Sequence, residues 1–185
     1  MKRIFIALNV EAGDTLQKMI SLLKSRLSEE NIRWTNPENI HITLSFLGDT
    51  EEKWIKDINS MLKNKCEGSG RFDMFIKGFG VFRNVNDPRI IWFGIEPSAK
   101  LMSLNGSIMK GLTELGIKIE DRPFKPHLTI GRIKHLNDKV TLKALIDKYQ
   151  NSEIQKSMIN EVILFESILL QSGPLYKPLA KFTLE

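Results

Sequence analysis

Two short segments carry side chains suited to acid–base chemistry. "NIHITLSFLG" places His41 two residues before Thr43, and "KPHLTIGR" places His127 two residues before Thr129. Successive strand side chains point to opposite faces, so in a strand each histidine shares a face with its threonine. Imidazole, with an ordinary pKa of about 6.5, gives or takes a proton near neutrality. Two imidazoles across one cleft act together as general acid and general base, each role typically worth ~10²–10⁴ in rate. A threonine hydroxyl about 6.5–7 Å along the same face donates to a phosphoryl oxygen. Two titratable and two neutral groups suit a phosphodiester with one negative charge, whose displacement asks mainly for positioning and charge stabilisation. Residue chemistry alone does not say which histidine is the acid.

Other chemistries find less support. A metal site wants a third ligand, and neither histidine strand has an Asp or Glu within its apolar run. The chain has no Gly-x-Ser-x-Gly nucleophile turn and no Gly-x-x-x-x-Gly-Lys-Ser/Thr phosphate loop. No metal and no cofactor is expected. The single cysteine, Cys66, cannot form an internal disulfide, which fits a reducing compartment. His135 reads as a surface loop residue, and Gly78 and Gly80 as marks of a bulge or bend.

The elements that must position these residues occur twice. His41 and His127 stand 86 residues apart, as do Pro37 and Pro123, and as do the openings of "RIFIAL" at Arg3 and "RIIWFG" at Arg89. A helical pattern follows each opening strand: Leu16, Met19, Ile20, Leu23 and Leu27, then Leu101, Leu104, Ile108, Leu112 and Leu115. In the first histidine strand, alternation predicts Ile40, Ile42, Leu44 and Phe46 on the core face, with His41, Thr43 and Ser45 opposite. In the second, Leu128 and Ile130 face the core. Downstream helices are expected from Thr50 and from Asn137–Asp138, each followed by an extended stretch, "RFDMFIKGFGVF" and "SMINEVILFESILL". "LYKPLAKFTLE" reads as a final strand. The expectation is an α+β fold from a bilobal pseudo-twofold duplication. Each lobe is an antiparallel or mixed sheet with outer helices, and the active cleft lies between lobes. The whole chain, 1–185, forms one domain, with halves of about 1–86 and 87–185 that meet at the turn-forming "RNVNDPR".

Composition is that of a globular protein, 42% apolar and 26% charged. A net charge of +5 mildly favours a polyanionic partner. Arg122, Lys125, Arg132 and Lys134 flank the second motif, against Glu38 and Asp49 at the first, so the second lobe is expected to carry more of a phosphate backbone. Alternation points Arg132 away from the cleft unless the strand bends. Trp34 and Tyr176 are candidates to stack a base, and Phe124 reads as core. The N-terminal apolar run ends at Glu11 with no cleavage pattern, and no run approaches the ~18 apolar residues of a membrane span. A cytoplasmic protein with no membrane attachment and no obligate protein partner is expected.

"WTNPENIHITLSFLG", "RPFKPHLTIGR" and "LFESILLQSGPLYKPL" together resemble the two-histidine phosphoesterase superfamily. The nearest branch is the RNA 2′,3′-cyclic phosphodiesterases, historically called 2′-5′ RNA ligases, and the likeness spans nearly the whole chain. The resemblance implies metal-independent opening of a terminal 2′,3′-cyclic phosphate to a 2′-phosphomonoester, with 2′-5′ ligation as the reverse. It implies that His41 is the proton donor, His127 the proton acceptor, and Thr43 and Thr129 the phosphate ligands. Arg132, Lys125 and Tyr176 are further candidate substrate contacts. The competing readings are a phosphodiesterase for a small cyclic or 2′-5′-linked nucleotide, and a non-catalytic nucleotide- or RNA-binding module.

Overall fold

A computed structural model describes residues 1–119, 123–171 and 173–185. Arg122 therefore lies outside the described residues. The apolar run of residues 4–8 forms β1 (Lys2–Asn9), buried on both faces from Ile4 to Leu8. Helix α1 (Asp14–Arg26) buries Leu16, Ile20 and Leu23, one stripe at helical spacing, with Asp14 in its first turn and Lys24 and Arg26 in its last, complementing the helix dipole. A short strand β2 (Asn31–Trp34) and a single 3₁₀ turn (Pro37–Asn39) lead into β3 (His41–Thr50). Helix α2 (Lys53–Cys66) and strand β4 (Phe72–Phe82) follow. The second set is β5 (Ile90–Ile95), α3 (Ala99–Glu114), β6 (His127–His135) and α4 (Lys139–Tyr149). Strands β7 (Glu153–Ile159), β8 (Glu161–Leu170) and β9 (Gly173–Thr183) end the chain.

The strands form two antiparallel sheets, β3-β1-β8-β9 and β2-β6-β5-β4-β7. Neither sheet belongs to one half of the sequence. Strand β4, from the first half, pairs with β5, while β8, from the second half, pairs with β1. The first half thus lends β2 and β4 to one sheet and the second half lends β8 and β9 to the other, so lobes cut at residue 86 would split both sheets. The apolar faces of both sheets and the helix stripes join in one buried cluster that includes Ile4, Phe93, Leu128 and Leu164. Met61 of α2 lies against Gly111 of α3, where an added Cβ would sit 2.7 Å from the Met61 side chain. No helix among the described residues is long and apolar enough to cross a membrane.

Several local expectations shift. Helix α2 begins at Lys53, because Thr50 is still paired with Lys2 at the end of β3. The stretch 153–170 is two strands, broken at Asn160. Helix α4 is capped by Asp138, whose carboxylate accepts from the Thr141 N–H. His135 ends β6, exposed, with its ring bonded to Asn137. Gly78 sits at the irregularity of β4 with φ +82, and an added Cβ would lie 2.5 Å from the Gln150 carbonyl oxygen. Gly78→Ala is expected to cost about 1–3 kcal/mol of stability from backbone strain and the clash, read as a lowered midpoint in urea unfolding.

Candidate active site

The two histidine strands are bulged at equivalent places. In β3, Ala7 pairs with Thr43 and Ile6 with Ser45, which leaves Leu44 as the extra residue. In β6, Trp92 pairs with Thr129 and Ile91 with Gly131, which leaves Ile130 extra. Leu44 and Ile130 stand at the same 86-residue interval as the histidines. A bulge adds one residue and reverses the alternation beyond it. Ser45, expected on the histidine face, is therefore buried at 7% exposure, and Phe46, expected in the core, is 40% exposed and faces the cleft. The same reversal turns Arg132 into the cleft, where unbroken alternation would point it away. Phe46 and Arg132 are equivalent positions of the repeat, so one lobe offers a ring where the other offers a guanidinium.

These faces share a cavity of about 620 Å³, lined by His41, Thr43 and Phe46 from β3, by Thr129 and Arg132 from β6, and by Tyr176 from β9, among others. Arg3, Arg33, Trp34 and Leu175 also reach it. The Arg3 guanidinium lies 5.0 Å from the centre of the Phe46 ring, a cation–π contact. Gly173, with φ +139, lets the chain pass against the Arg33 guanidinium, where a side chain would collide. The Lys125 side chain is exposed and outside the cavity lining, and the Lys125 backbone carbonyl meets the His127 ring. Phe124 packs against the core. Sequence reasoning missed Arg3, Arg33 and Phe46 as cavity residues. The strand β2 that carries Arg33 has only four residues, too few to show a period.

Both imidazoles are held alike. His41 Nδ1 lies 2.7 Å from the Asn39 carbonyl oxygen, and His127 Nδ1 lies 2.7 Å from that of Lys125. A carbonyl only accepts, so each Nδ1 carries a proton and each Nε2 is left for chemistry. His41 Nε2 is 3.1 Å from the Thr43 hydroxyl. The Asn39 side chain also donates to the Pro174 carbonyl (3.2 Å), which ties the β8–β9 hairpin to the loop that aims His41.

The surroundings of the two rings differ. His41 is packed among Phe5, Phe165 and Tyr176, at centroid distances of 5.0, 6.4 and 5.2 Å. His127 meets the Phe82 ring edge-on at 4.6 Å and stands beside the cavity rather than in its lining, two residues before Thr129 on the same strand face. Burial lowers the pKa of His41, and the charges of His127 and Arg132 lower it further against the opposing pull of the Asn39 carbonyl. Burial likewise lowers the pKa of His127, with Arg132 adding to the effect. Burial raises that of Tyr176.

A duplicated two-sheet fold that brings a His-x-Thr strand from each repeat to a common cavity defines a class, the two-lobed phosphoesterases with paired histidines. The family described as LigT-like phosphoesterase matches residues 6–92 and 94–176, and the chain belongs to that family. Among curated relatives, the RNA 2′,3′-cyclic phosphodiesterase of Methanothermobacter thermautotrophicus is 32% identical over 184 residues, covering 98% of each chain. The protein of the same name from Thermotoga maritima is 33% identical over 179 residues, 96% of this chain and 92% of its own. Among solved structures, a Thermus thermophilus protein superposes with TM-score 0.81 at 24% identity, over 98% of this chain and 97% of its own. Escherichia coli LigT complexed with 3′-AMP gives TM-score 0.78 at 20% identity, over 99% and 98%. Both structures show the same fold.

Proposed function

We propose that this chain is an RNA 2′,3′-cyclic phosphodiesterase that opens the terminal ring to a 2′-phosphomonoester. The observation that carries the reading is the convergence of Thr43, Thr129, Arg132 and the His41 ring on one cavity, with His127 on the adjoining strand face. The cyclic phosphate lies between the two Nε2 atoms. His127 takes a proton from water as the water oxygen attacks phosphorus, and His41 delivers a proton to the 3′ oxygen as the P–O3′ bond breaks. The Thr43 and Thr129 hydroxyls donate to the non-bridging oxygens, and the Arg132 guanidinium offsets the charge that develops on them. A 5′-hydroxyl in place of water yields a 2′-5′ linkage through the same groups. Among the described residues no three His, Cys, Asp or Glu side chains cluster as a metal site.

The direct test is a defined RNA with a 2′,3′-cyclic end, assayed in excess EDTA, with the position of the product phosphate read out. A 2′-phosphate is expected. Faster turnover of a cyclic mononucleotide would favour a small-nucleotide substrate, and binding without turnover a non-catalytic module. A cytoplasmic setting fits a chain whose single thiol, Cys66, leaves it no internal disulfide.

The pH profile follows from the shifted histidines. The base must be neutral, so the rate falls as pH drops below its pKa. The acid must be protonated, so the rate falls as pH rises above its pKa. Both pKa values are lowered from 6.5 in the free protein. The bell of kcat/KM, which reports free-enzyme groups, is expected to peak below pH 6.5. The bell of kcat should lie at higher pH, because the bound anion favours imidazolium. A kcat/KM maximum above 7 would contradict the assignment.

A further inference from the structure

We propose that Asn105 is a positioning residue, whose buried amide holds the bulge in β3 and so decides which side chains that strand presents to the cavity. Asn105 lies on α3, in the second half of the sequence, within the apolar stripe of Leu101, Leu104, Ile108 and Leu112. At 5% exposure it is a buried polar side chain in a core position. Its Nδ2 donates to the Leu44 carbonyl oxygen at 3.1 Å. Leu44 is the extra residue of the bulge, and the carbonyl of such a residue falls out of the ladder. A buried carbonyl needs a donor, and Asn105 supplies one from outside the sheet.

The second strand solves the same problem with a different group. The extra residue of β6, Ile130, gives its carbonyl to the Thr35 N–H at 2.9 Å, and the Thr35 hydroxyl donates to the Thr129 carbonyl at 3.0 Å. Each bulge is therefore pinned by the opposite half of the sequence, and in β3 a single side chain does it. The first repeat has no equivalent of Asn105: counting back by the helix interval of 85 or the strand interval of 86 reaches Ile20 or Met19, both apolar. The consequence falls on the site. With the bulge held, Thr43 and Phe46 both face the cavity and Ser45 is buried. Without it, alternation returns Ser45 to the cavity side and Phe46 to the core side.

A thiol reporter tests this in the full chain, because its one cysteine, Cys66, is buried. Ser45→Cys and Phe46→Cys are each made with Asn105 intact and with Asn105→Leu or Asn105→Asp, and reaction with a disulfide reagent is timed under native conditions. With Asn105 intact, the thiol at 46 is expected to react fast and that at 45 slowly. In both Asn105 variants the thiol at 45 is expected to react at least tenfold faster, and the thiol at 46 at least tenfold slower. Unchanged labelling in folded Asn105 variants would overturn the proposal. On the otherwise unmodified chain, kcat should drop at least tenfold in Asn105→Leu while KM moves less than threefold, with Asn105→Gln, which keeps the donor, recovering most of it. That readout rests on the phosphodiesterase reading and the labelling does not, so the two fail separately. If both variants unfold, hydrogen exchange of the Asn105 side-chain amide in the unmodified chain decides: protection supports the clip, and exchange as fast as an exposed asparagine overturns it.

Discussion

Alanine at either His41 or His127 is expected to lower kcat on a cyclic-phosphate RNA end by about 10²–10⁴, and the double variant little further. Non-additivity is expected because an acid and a base that serve one displacement act as a unit. Each ring is oriented by a carbonyl two residues before it, at 2.7 Å in both cases, so neither depends on the other for its position. KM should move less than kcat, since the proposed mechanism assigns the phosphoryl oxygens to Thr43, Thr129 and Arg132. Single-turnover assays on a defined RNA end, with unfolding midpoints to verify the fold, check this. Full turnover in either single variant would remove that histidine from the mechanism.

Arg132→Ala is expected to reduce kcat/KM by about 10²–10³, the usual loss when a preorganised donor to developing charge is removed. Arg132 stands at the repeat position where β3 has Phe46, and the cation nearest that ring is Arg3 of β1, stacked on it at 5.0 Å. Arg132→Lys should recover part of the loss, because charge remains while the planar fork is gone. The salt dependence of kcat/KM on an oligonucleotide should weaken by about one unit of slope in Arg132→Ala. Lys125→Ala should leave catalysis nearly intact, because its Lys125 contact to His127 is made by the backbone. An unaltered salt slope in Arg132→Ala would mean that Arg132 does not meet the phosphate. The same variant should raise the pKa of His41, since Arg132 is one of the charges that lower it.

The contrast between these two arginine-and-lysine predictions shows where alternation reaches its limit. Lys125, two residues before His127, shares its face by alternation, and Arg132, five residues after it, does not. By structure one points to solvent and the other into the cavity. Phe46 and Ser45 exchange places for the same reason. A period of two holds only while each residue on one strand meets one residue on the next, and the bulges at Leu44 and Ile130 break that count.

Local signals did determine much. The two His-x-Thr pairs, their shared interval, the helix stripes of α1 and α3, and the order of the helices and longer strands, apart from the break between β7 and β8, follow from side-chain periodicity within single segments. They suffice to name the acid–base chemistry and to predict a duplicated α+β fold. Tertiary structure alone decided the exchange of β4 and β8 between sheets, the recruitment of β2, and the inward turn of Phe46 and Arg132. The exchange rests on the pairing of β4 with β5 and of β8 with β1, and the inward turns on bulges met by hydrogen bonds between residues 61 and 95 positions apart, Asn105 with Leu44 and Thr35 with Ile130. A pattern read along the chain registers which face a residue prefers. A bulge is settled by whether a distant donor is present to satisfy the carbonyl that it frees.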